Sequence, residues 1–419
     1  VSVTVLHGDM LERLAELPDA SVDSCVCDPP YGITFMGKRW DHGVPGVDYW
    51  RAVYRVLKPG AHVFAFGGTR TFHRLVCAIE DAGLEIRDQY GWMFATGFPK
   101  SLNLSKAIDK SAGAVGTLGE YRSPDHAVKR KPGKERRHEG YQRPWMDDAE
   151  AVDAAARQYI PATPEAAKWQ GWGTAAKPSF EPICLARKPL DGTVAGNVLK
   201  WGTGAINVDA CRVEGEPWAA HRATGLAKVK FFTDGAAPMV DKAPHDAGRW
   251  PSNVLHDGSP EVMAAFARFG ESVSPSKAAA AEYVPNGKNS VYGKNMGGGD
   301  HAGHADSGTA ARFFPALGFG DDDLRFWYGG KADADDRLKS RHPTVKPVAL
   351  MRWLVRLVTP PGGTVLDPFA GTGTTGAAAI REGFHAVLVE REAEYVADIK
   401  ARLAHIEGAD TPLFAGAAE

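Results

Sequence analysis

The sequence predicts an α/β fold: a doubly wound, mostly parallel sheet interrupted by a long irregular insertion. Three observations lead there. Short β-rich runs alternate with amphipathic helical runs over the first hundred residues, and the same alternation returns from Val348 onward. A glycine-rich turn, Gly371-x-Gly373-x-x-Gly376, joins a strand pattern to a helix pattern. The stretch between the two ordered ends lacks either period. Alternation of strand and helix favours a parallel sheet covered by helices on both faces.

In chain order, Ser2–Leu6 reads as a strand, Met10–Leu17 as an amphipathic helix, and Ser24–Cys27 as a buried strand. That strand stops at Asp28-Pro29-Pro30, because two prolines cannot continue a ladder. Tyr49–Val56 carries helical apolar spacing, and Lys58-Pro59-Gly60 is expected to end it. Ala61–Phe66 is the next strand and Phe72–Ala82 the next helix, with Gly83 as its C-terminal cap. Tyr90–Ala95 and Glu181–Arg187 are further strand candidates. At the far end, Val348–Val358 reads as a helix and Gly363–Leu366 as a strand. Ala377–Glu382, His385–Val389 and Ala393–Ile406 follow as helix, strand and helix. No internal repeat is visible.

The middle differs. Lys106–Lys168 is polar and punctuated, and residues 191–330 are rich in Gly and Pro turns, with three consecutive glycines at 297–299. A long irregular stretch inside an α/β chain is usually an insertion with its own task. The expected organisation is a first half-domain at 1–105, a basic insertion at 106–175 and a return strand at 176–190. A recognition region at 191–330 and a second half-domain at 331–419 complete it.

At 419 residues the chain is long enough for two or three structural units. Its 44% hydrophobic and 24% charged residues fit a globular protein and exclude a disordered one. The net charge of −2 gives no global attraction to nucleic acid, so any basic surface must come from local clustering. Five cysteines without a CxxC pair exclude a zinc framework and a disulfide scaffold; reduced thiols in a cytoplasmic protein are expected. No apolar run approaches the ~18 residues of a membrane helix, and no signal-peptide layout is present.

The glycine-rich turn says that backbone must approach something closely. Glu390, closing the following strand, is placed to accept hydrogen bonds from both hydroxyls of a ribose. No Lys follows the glycines, which excludes a phosphate-cradling loop and an ATPase reading. Asp367 at the preceding strand end adds negative charge. A cationic nucleoside is therefore favoured over a pyrophosphate, and S-adenosylmethionine fits.

Asp28-Pro29-Pro30-Tyr31 suits a different task. The lone pair of an exocyclic base amine is delocalised into the ring, so a catalyst must accept hydrogen bonds from the amino hydrogens. The Asp28 carboxylate takes one and the Pro29 carbonyl the other, with Pro30 keeping that carbonyl rigid. Tyr31 is suited to stack on a base that has left its helix. Cys25 and Cys27 lie within the preceding strand and are expected in the core, without a catalytic role.

DPPYG at Asp28–Gly32, HPTVKP at His342–Pro347 and VLDPFAGTGTTG at Val365–Gly376 together resemble the DNA amino-methyltransferases. Their order, catalytic tetrapeptide before cofactor loop, is similar to the circularly permuted β class. The resemblance covers residues 1–105, 175–190 and 325–410. It implies a Rossmann-like methyltransferase sheet, S-adenosylmethionine as cofactor and double-stranded DNA as substrate. Asp28, Pro29, Pro30 and Tyr31 would form the catalytic set. Asp367, Phe369, Gly371 and Gly373 would line the methionine part of the cofactor, and Asp28, Thr374 and Thr375 would also bind it. Glu390 would hold the ribose, Asp9 would lie near the adenine, and Thr344 and Lys346 would cover the methionine end. Related enzymes are often homodimers, and some have a restriction partner. The segments GWGTAAKPSFEPICLARKP and TGAINVDACRV also resemble methyltransferases carried by phages and mobile elements.

Asp at position 28 leans toward N6 of adenine, whereas Ser there leans toward N4 of cytosine; both targets stay open. Glutamine-amide methyltransferases begin the tetrapeptide with Asn. A DNA-binding protein with a decayed methyltransferase fold is the non-enzymatic alternative. For phosphate contact the best candidates are Lys129, Arg130, Lys131, Lys134, Arg136 and Arg137, six basic residues against one acidic. Phe35, Trp40 and Phe369 are aromatic candidates to flank a sulfonium. Arg325, Trp327, Tyr328 and Lys331 are candidates for base or backbone contact. His301 and His304 have no third ligand nearby, and no metal site is expected.

Overall fold

The computed structural model describes residues 1–33, 41, 43–95, 101–121, 153, 157–213, 248–273, 307–317 and 345–409. Two compact units are present. One comprises Val1–Phe94, Glu181–Gly320 and Lys346–Glu419; the other comprises Ala95–Phe180 and Asp321–Val345.

The chain begins with β1 (Val3–His7), α1 (Met10–Ala15), β2 (Val22–Cys27), α2 (Val47–Val56), β3 (Leu57–Phe66), α3 (Phe72–Asp81) and β4 (Glu85–Met93). The second unit holds α4 (Leu104–Ser111), β5 (Thr117–Tyr121), β6 (Arg157–Ile160) and α5 (Pro164–Lys168). Then come β7 (Phe180–Arg187), α6 (Val194–Trp201), β8 (Val254–His256), α7 (Pro260–Ala267), β9 (Ser272–Val273) and β10 (Ser307–Gly308). The chain closes with α8 (Val348–Val358), β11 (Thr364–Asp367), α9 (Thr374–Glu382), β12 (His385–Glu390) and α10 (Ala393–Ala409).

Eight strands form one sheet in the order β1-β12-β11-β2-β3-β7-β4-β8. The β1–β12, β12–β11, β11–β2, β2–β3 and β4–β8 pairs are parallel, and β3–β7 is antiparallel. This is the mostly parallel α/β sheet expected from the alternation. All six residues of β2 are buried, as a strand covered on both faces requires.

Side-chain alternation divides the core between those faces. Val26, Phe64 and Phe66 pack with Leu350, Leu354 and Ala378 of α8 and α9. Cys25, Cys27, Val63 and Ala65 pack with Leu14, Trp50 and Ile79 of α1, α2 and α3. Trp50, Phe64 and Phe66 are fully buried; side chains of this kind each contribute roughly 1.5–3 kcal/mol by leaving water. Cys25, Cys27, Cys184 and Cys211 are buried free thiols and Cys77 is an exposed one.

Three elements differ from their sequence expectation. Leu57 passes directly from α2 into β3, so Lys58-Pro59-Gly60 opens the strand instead of lying between elements. Proline is tolerated there because it stands at the strand's beginning, beside the register irregularity at Val22/Ser24. Second, β4 starts at Glu85, whose following residues Arg87, Asp88 and Gln89 are exposed and carry no apolar signal. Third, β8 joins the main sheet from within the stretch expected to be irregular. It is only three residues long, with Leu255 fully buried, too short to show a period.

In the second unit, Asp109 of α4 is a hub. Its carboxylate accepts from Tyr159 Oη at 2.8 Å, from the N–H groups of Ala162 and Thr163 at 2.8 and 3.0 Å, and from Thr163 Oγ1 at 2.7 Å. These bonds tie α4 to β6 and to the start of α5.

Candidate active site

β11 and β2 are the neighbours at which the sheet changes winding direction. From β11 the chain continues to β12 on one side; from β2 it continues to β3 on the other. Open α/β sheets bind ligands at the carboxyl ends of strands at such a switch point. Asp367 closes β11, and Asp28 directly follows β2. Leu366 pairs with Cys25, so the two acidic strand ends are adjacent. Thr375 Oγ1 bridges them, donating to Asp367 Oδ2 at 2.5 Å and lying 3.4 Å from the Val26 carbonyl oxygen.

The glycine loop builds one half of this site. Gly371 and Gly373 have φ of +53° and +78°, conformations that side-chain-bearing residues adopt at a cost. Gly373 is the N-cap of α9, and a Cβ there would lie 3.1 Å from Ile399 Cγ1 and Cγ2. The Gly371 N–H donates to Glu390 Oε2 at 2.8 Å, and the Glu392 N–H to Glu390 Oε1 at 2.8 Å. The Arg391 N–H is a third backbone donor to this carboxylate, which has roughly four acceptor positions. Burial nevertheless raises the Glu390 pKa above its ordinary value, against the pull of these donors.

Burial likewise pushes Asp367 up to about 7. Bonds from Thr375 and from the Phe369 N–H (3.0 Å) work against that rise, and the charges of Asp28 and Glu390 add to it. Thr374 is buried in the first turn of α9. The Phe369 ring centroid stands 6.5 Å from that of Trp50. Asp9 caps α1, its Oδ1 accepting the Leu11 N–H at 2.9 Å. The adjacent Gly8 N–H donates to the Glu390 carbonyl at 3.0 Å, so the ends of β1 and β12 are held together.

The other half centres on Asp28. Tyr31 Oη donates to Asp28 Oδ1 at 2.8 Å, and Lys346 Nζ donates to Asp28 Oδ2 at 2.6 Å. Lys346 Nζ also lies 3.1 Å from Tyr31 Oη and 3.3 Å from Glu181 Oε2. It sits over the rings of Phe66 and Tyr31, at 4.8 and 5.5 Å from their centroids. Burial alone would lower the Lys346 pKa, but Asp28 and Glu181 hold it above the usual value. Burial and the Asp28 charge raise Tyr31, which therefore stays a neutral donor. Burial also raises Glu181; Lys346 opposes that and Asp28 reinforces it.

The backbone around this group is fixed from several sides. Pro29 is buried and Pro30 half-buried. Thr71 Oγ1 donates to the Tyr31 carbonyl at 2.6 Å, and the Gly32 N–H to Asp41 Oδ1 at 2.8 Å. Gly32 has φ +66°, and a Cβ there would meet the Val44 nitrogen at 2.9 Å.

Thus Asp28, Tyr31 and Lys346 come together, as do Asp367, Gly371, Gly373, Thr375 and Glu390. Lys346, expected over the methionine end of a cofactor, donates to the Asp28 carboxylate. Glu181 lies in the strand expected at Glu181–Arg187 and joins this group without a role assigned from the sequence. Its signal was one acid opening the apolar run Pro182–Ala186. Thr344, Phe35, Trp40, His301, His304, Arg325, Trp327, Tyr328 and Lys331 lie outside the described residues. So do Lys129, Arg130, Lys131, Lys134, Arg136 and Arg137. Among the described residues, no cluster of three His, Cys, Asp or Glu could hold a metal ion, and no helix is long and apolar enough to cross a membrane.

The sheet, its switch point and the glycine turn after β11 define a Rossmann-like methyltransferase fold. The chain belongs to the N6/N4 family described as DNA methylase, whose profile matches residues 167–401, more than half its length. Over 55 residues it is 47% identical to the DNA adenine methyltransferase YhdJ of Escherichia coli (strain K12), covering 13% of this chain and 19% of that protein. Over 77 residues it is 35% identical to the type II methyltransferase M2.DpnII of Streptococcus pneumoniae, covering 18% and 29%. The chain therefore spans less than a third of the length of each of these curated relatives. Among solved structures, the M1.HpyAVI–SAM complex is similar at 14% identity and a TM-score of 0.38, covering 96% of this chain and 99% of the other. The cytosine-N4-specific PvuII DNA methyltransferase is similar at 13% identity and a TM-score of 0.41, covering 97% and 91%.

Proposed function

We propose that the protein transfers a methyl group from S-adenosylmethionine to an exocyclic amine of a DNA base, and that the amine is N6 of adenine. The observation that carries this reading is the adjacency of two acidic strand ends at one switch point. Asp367 belongs to a glycine cradle, and Asp28 belongs to a rigid Pro-Pro turn.

The cradle suits the cofactor. Gly371 and Gly373 leave room where backbone must come close, Asp367 supplies negative charge for the ammonium and sulfonium, and Glu390 closes the next strand as the acceptor for ribose hydroxyls. Phe369, Thr374 and Thr375 border the methionine side, and Asp9 the adenine side. When bound, S-adenosylmethionine supplies an electrophilic methyl group. The chain's own work is at the amine. Asp28 accepts a hydrogen bond from an amino hydrogen, and the Pro29 carbonyl accepts the other. Together they concentrate the nitrogen lone pair toward the methyl group. The amine proton becomes acidic only as nitrogen gains positive charge, and Asp28 then takes it. Tyr31, fixed by Thr71 and Asp28, is positioned to stack on a base turned out of the duplex.

Adenine is favoured by Asp at position 28 and by the adenine enzyme YhdJ among the relatives. N4 of cytosine is the second reading, since the family includes both targets. Incubation with S-adenosylmethionine and unmethylated genomic DNA, digestion to nucleosides and mass spectrometry decide between them. N6-methyladenine is the expected product. N4-methylcytosine would change the base and keep the mechanism. No methylated base, with cofactor bound, would overturn the reading.

A pH dependence follows from Asp367. A cation binds its ionised form, so cofactor affinity should rise as pH climbs toward 7, by roughly tenfold between pH 5.5 and 7. The stability sign is opposite. A carboxyl raised in the folded state holds its proton more tightly than in the unfolded chain. The apoprotein therefore loses stability as pH rises from the ordinary Asp range through about 7. Asp367→Asn should raise the apoprotein melting temperature at pH 8 and remove most of the affinity slope. Calorimetric titration at the two pH values and thermal melts check both; an unchanged slope in the variant would assign it to another group.

A further inference from the structure

Lys346 holds an unusual position for a site that must bind an amine. Its ammonium donates to Asp28 Oδ2 at 2.6 Å, while Tyr31 occupies Oδ1 at 2.8 Å. Both Asp28 oxygens are thus engaged by side chains. An amino group of a base would need to donate to the same carboxylate. Lys346 is itself an N–H donor of similar size and is held by ring faces above and beside it. In effect, a lysine amine stands in for the target amine.

The neighbouring acid explains how such an arrangement stays productive. Glu181, the second residue of β7, faces the same ammonium from another strand, with Oε2 at 3.3 Å. Its side chain is 22% exposed, against 8% for Lys346. The charged and titratable groups around the ammonium are Asp28, Glu181 and Tyr31, with Asp367 near enough to Asp28 for their charges to interact. A lysine leaving Asp28 with no second acid beside it would give up its carboxylate partner at a buried position. A lysine moving to Glu181 needs a displacement of only an ångström or so and keeps a carboxylate partner throughout. Because removing one member of a buried ion pair is costly, the second carboxylate lowers the cost of releasing the first.

We propose that Lys346 is an exchangeable placeholder on Asp28, and that Glu181 is the positioning residue that receives it when the target amine enters. The exchange makes and breaks hydrogen bonds only; no covalent bond changes and Lys346 keeps its proton. Its effect is that the Asp28 carboxylate is held in place before a base arrives, and freed as one does. This rests on the amine-methylation reading and assigns Glu181, in β7, to the same chemistry as Asp28, after β2.

The test is a two-by-two set: the unaltered protein, Glu181→Gln, Lys346→Met and the double variant. Methyl transfer to DNA, cofactor affinity and thermal melting are measured for each. Glu181→Gln keeps the side-chain shape but weakens the receiving charge, so Lys346 stays on Asp28. Expected is a fall in kcat of about tenfold or more, from loss of a charge-assisted partner. The KM for DNA should change little, since phosphate contacts dominate DNA affinity, and cofactor affinity should hold. With Lys346→Met there is no placeholder to receive. Adding Glu181→Gln should then cost less than about threefold. Equal losses with and without Lys346 would show that Glu181 acts by itself and would overturn the proposal. So would an unchanged kcat in Glu181→Gln. Should Glu181→Gln melt early, Glu181→Asp retains the charge and is expected to recover most of the rate; failure to recover counts against the exchange. An unaltered protein that methylates no DNA amine would remove the parent reading instead, so the two failures are distinct.

Discussion

Asp28→Ala is expected to abolish methyl transfer, by at least about a thousandfold, while leaving cofactor affinity nearly unchanged. The magnitude follows from combining two losses, an acceptor aimed at developing charge and a proton acceptor, each commonly worth a hundredfold or more. Structure bears on whether the variant folds. Removing Asp28 leaves Lys346 with Glu181 at 3.3 Å and leaves Tyr31 beside Lys346 at 3.1 Å. The ammonium is not stranded, so the stability loss should be modest, about 1–3 kcal/mol. Single-turnover methyl transfer, cofactor titration and a thermal melt are the three measurements. Loss of cofactor binding together with activity would mean that Asp28 belongs to the cradle and not to the amine.

The layout of the candidate site was legible in sequence wherever local chain geometry and side-chain type coincide. Asp28-Pro29-Pro30-Tyr31 had to end a strand because of its prolines, and its acid could only lie at the strand's mouth. Gly371 and Gly373 had to occupy a turn, and both adopt positive φ. Glu390 was readable because it closes the strand after that turn. What escaped depends on contacts between distant segments. Lys346 reaches Asp28 across 318 positions of sequence, and no local pattern reports that. Glu181 is one acid at the start of an apolar strand, and its meaning comes from β7 running antiparallel beside β3. The antiparallel direction is equally silent, since a buried strand shows the same apolar run either way. Three-residue β8 is recruited by pairing with β4, through Leu255 opposite Trp92, a tertiary decision that overrides a weak local signal.

Gly373→Arg should remove cofactor binding, with affinity falling by more than about a hundredfold, since a side chain would fill the cradle where backbone is required to approach the ligand. Two separate penalties operate. The left-handed conformation at φ +78° costs any L-residue roughly 1–2 kcal/mol. A Cβ also presses on Ile399 at 3.1 Å, and Ile399 is fully buried in α10. Ile399 has little freedom to retreat, so the loop must shift outward, carrying Gly371 and its bond to Glu390 with it. Gly373→Ala separates the two causes. It incurs the backbone cost and the Ile399 contact without filling the cradle. A small loss in the alanine variant beside a complete loss in the arginine variant would assign the effect to occupied space. Equal losses in both would mean that the Gly371–Glu390 geometry is what binding requires. Unchanged affinity in the arginine variant would move the cofactor away from this turn altogether.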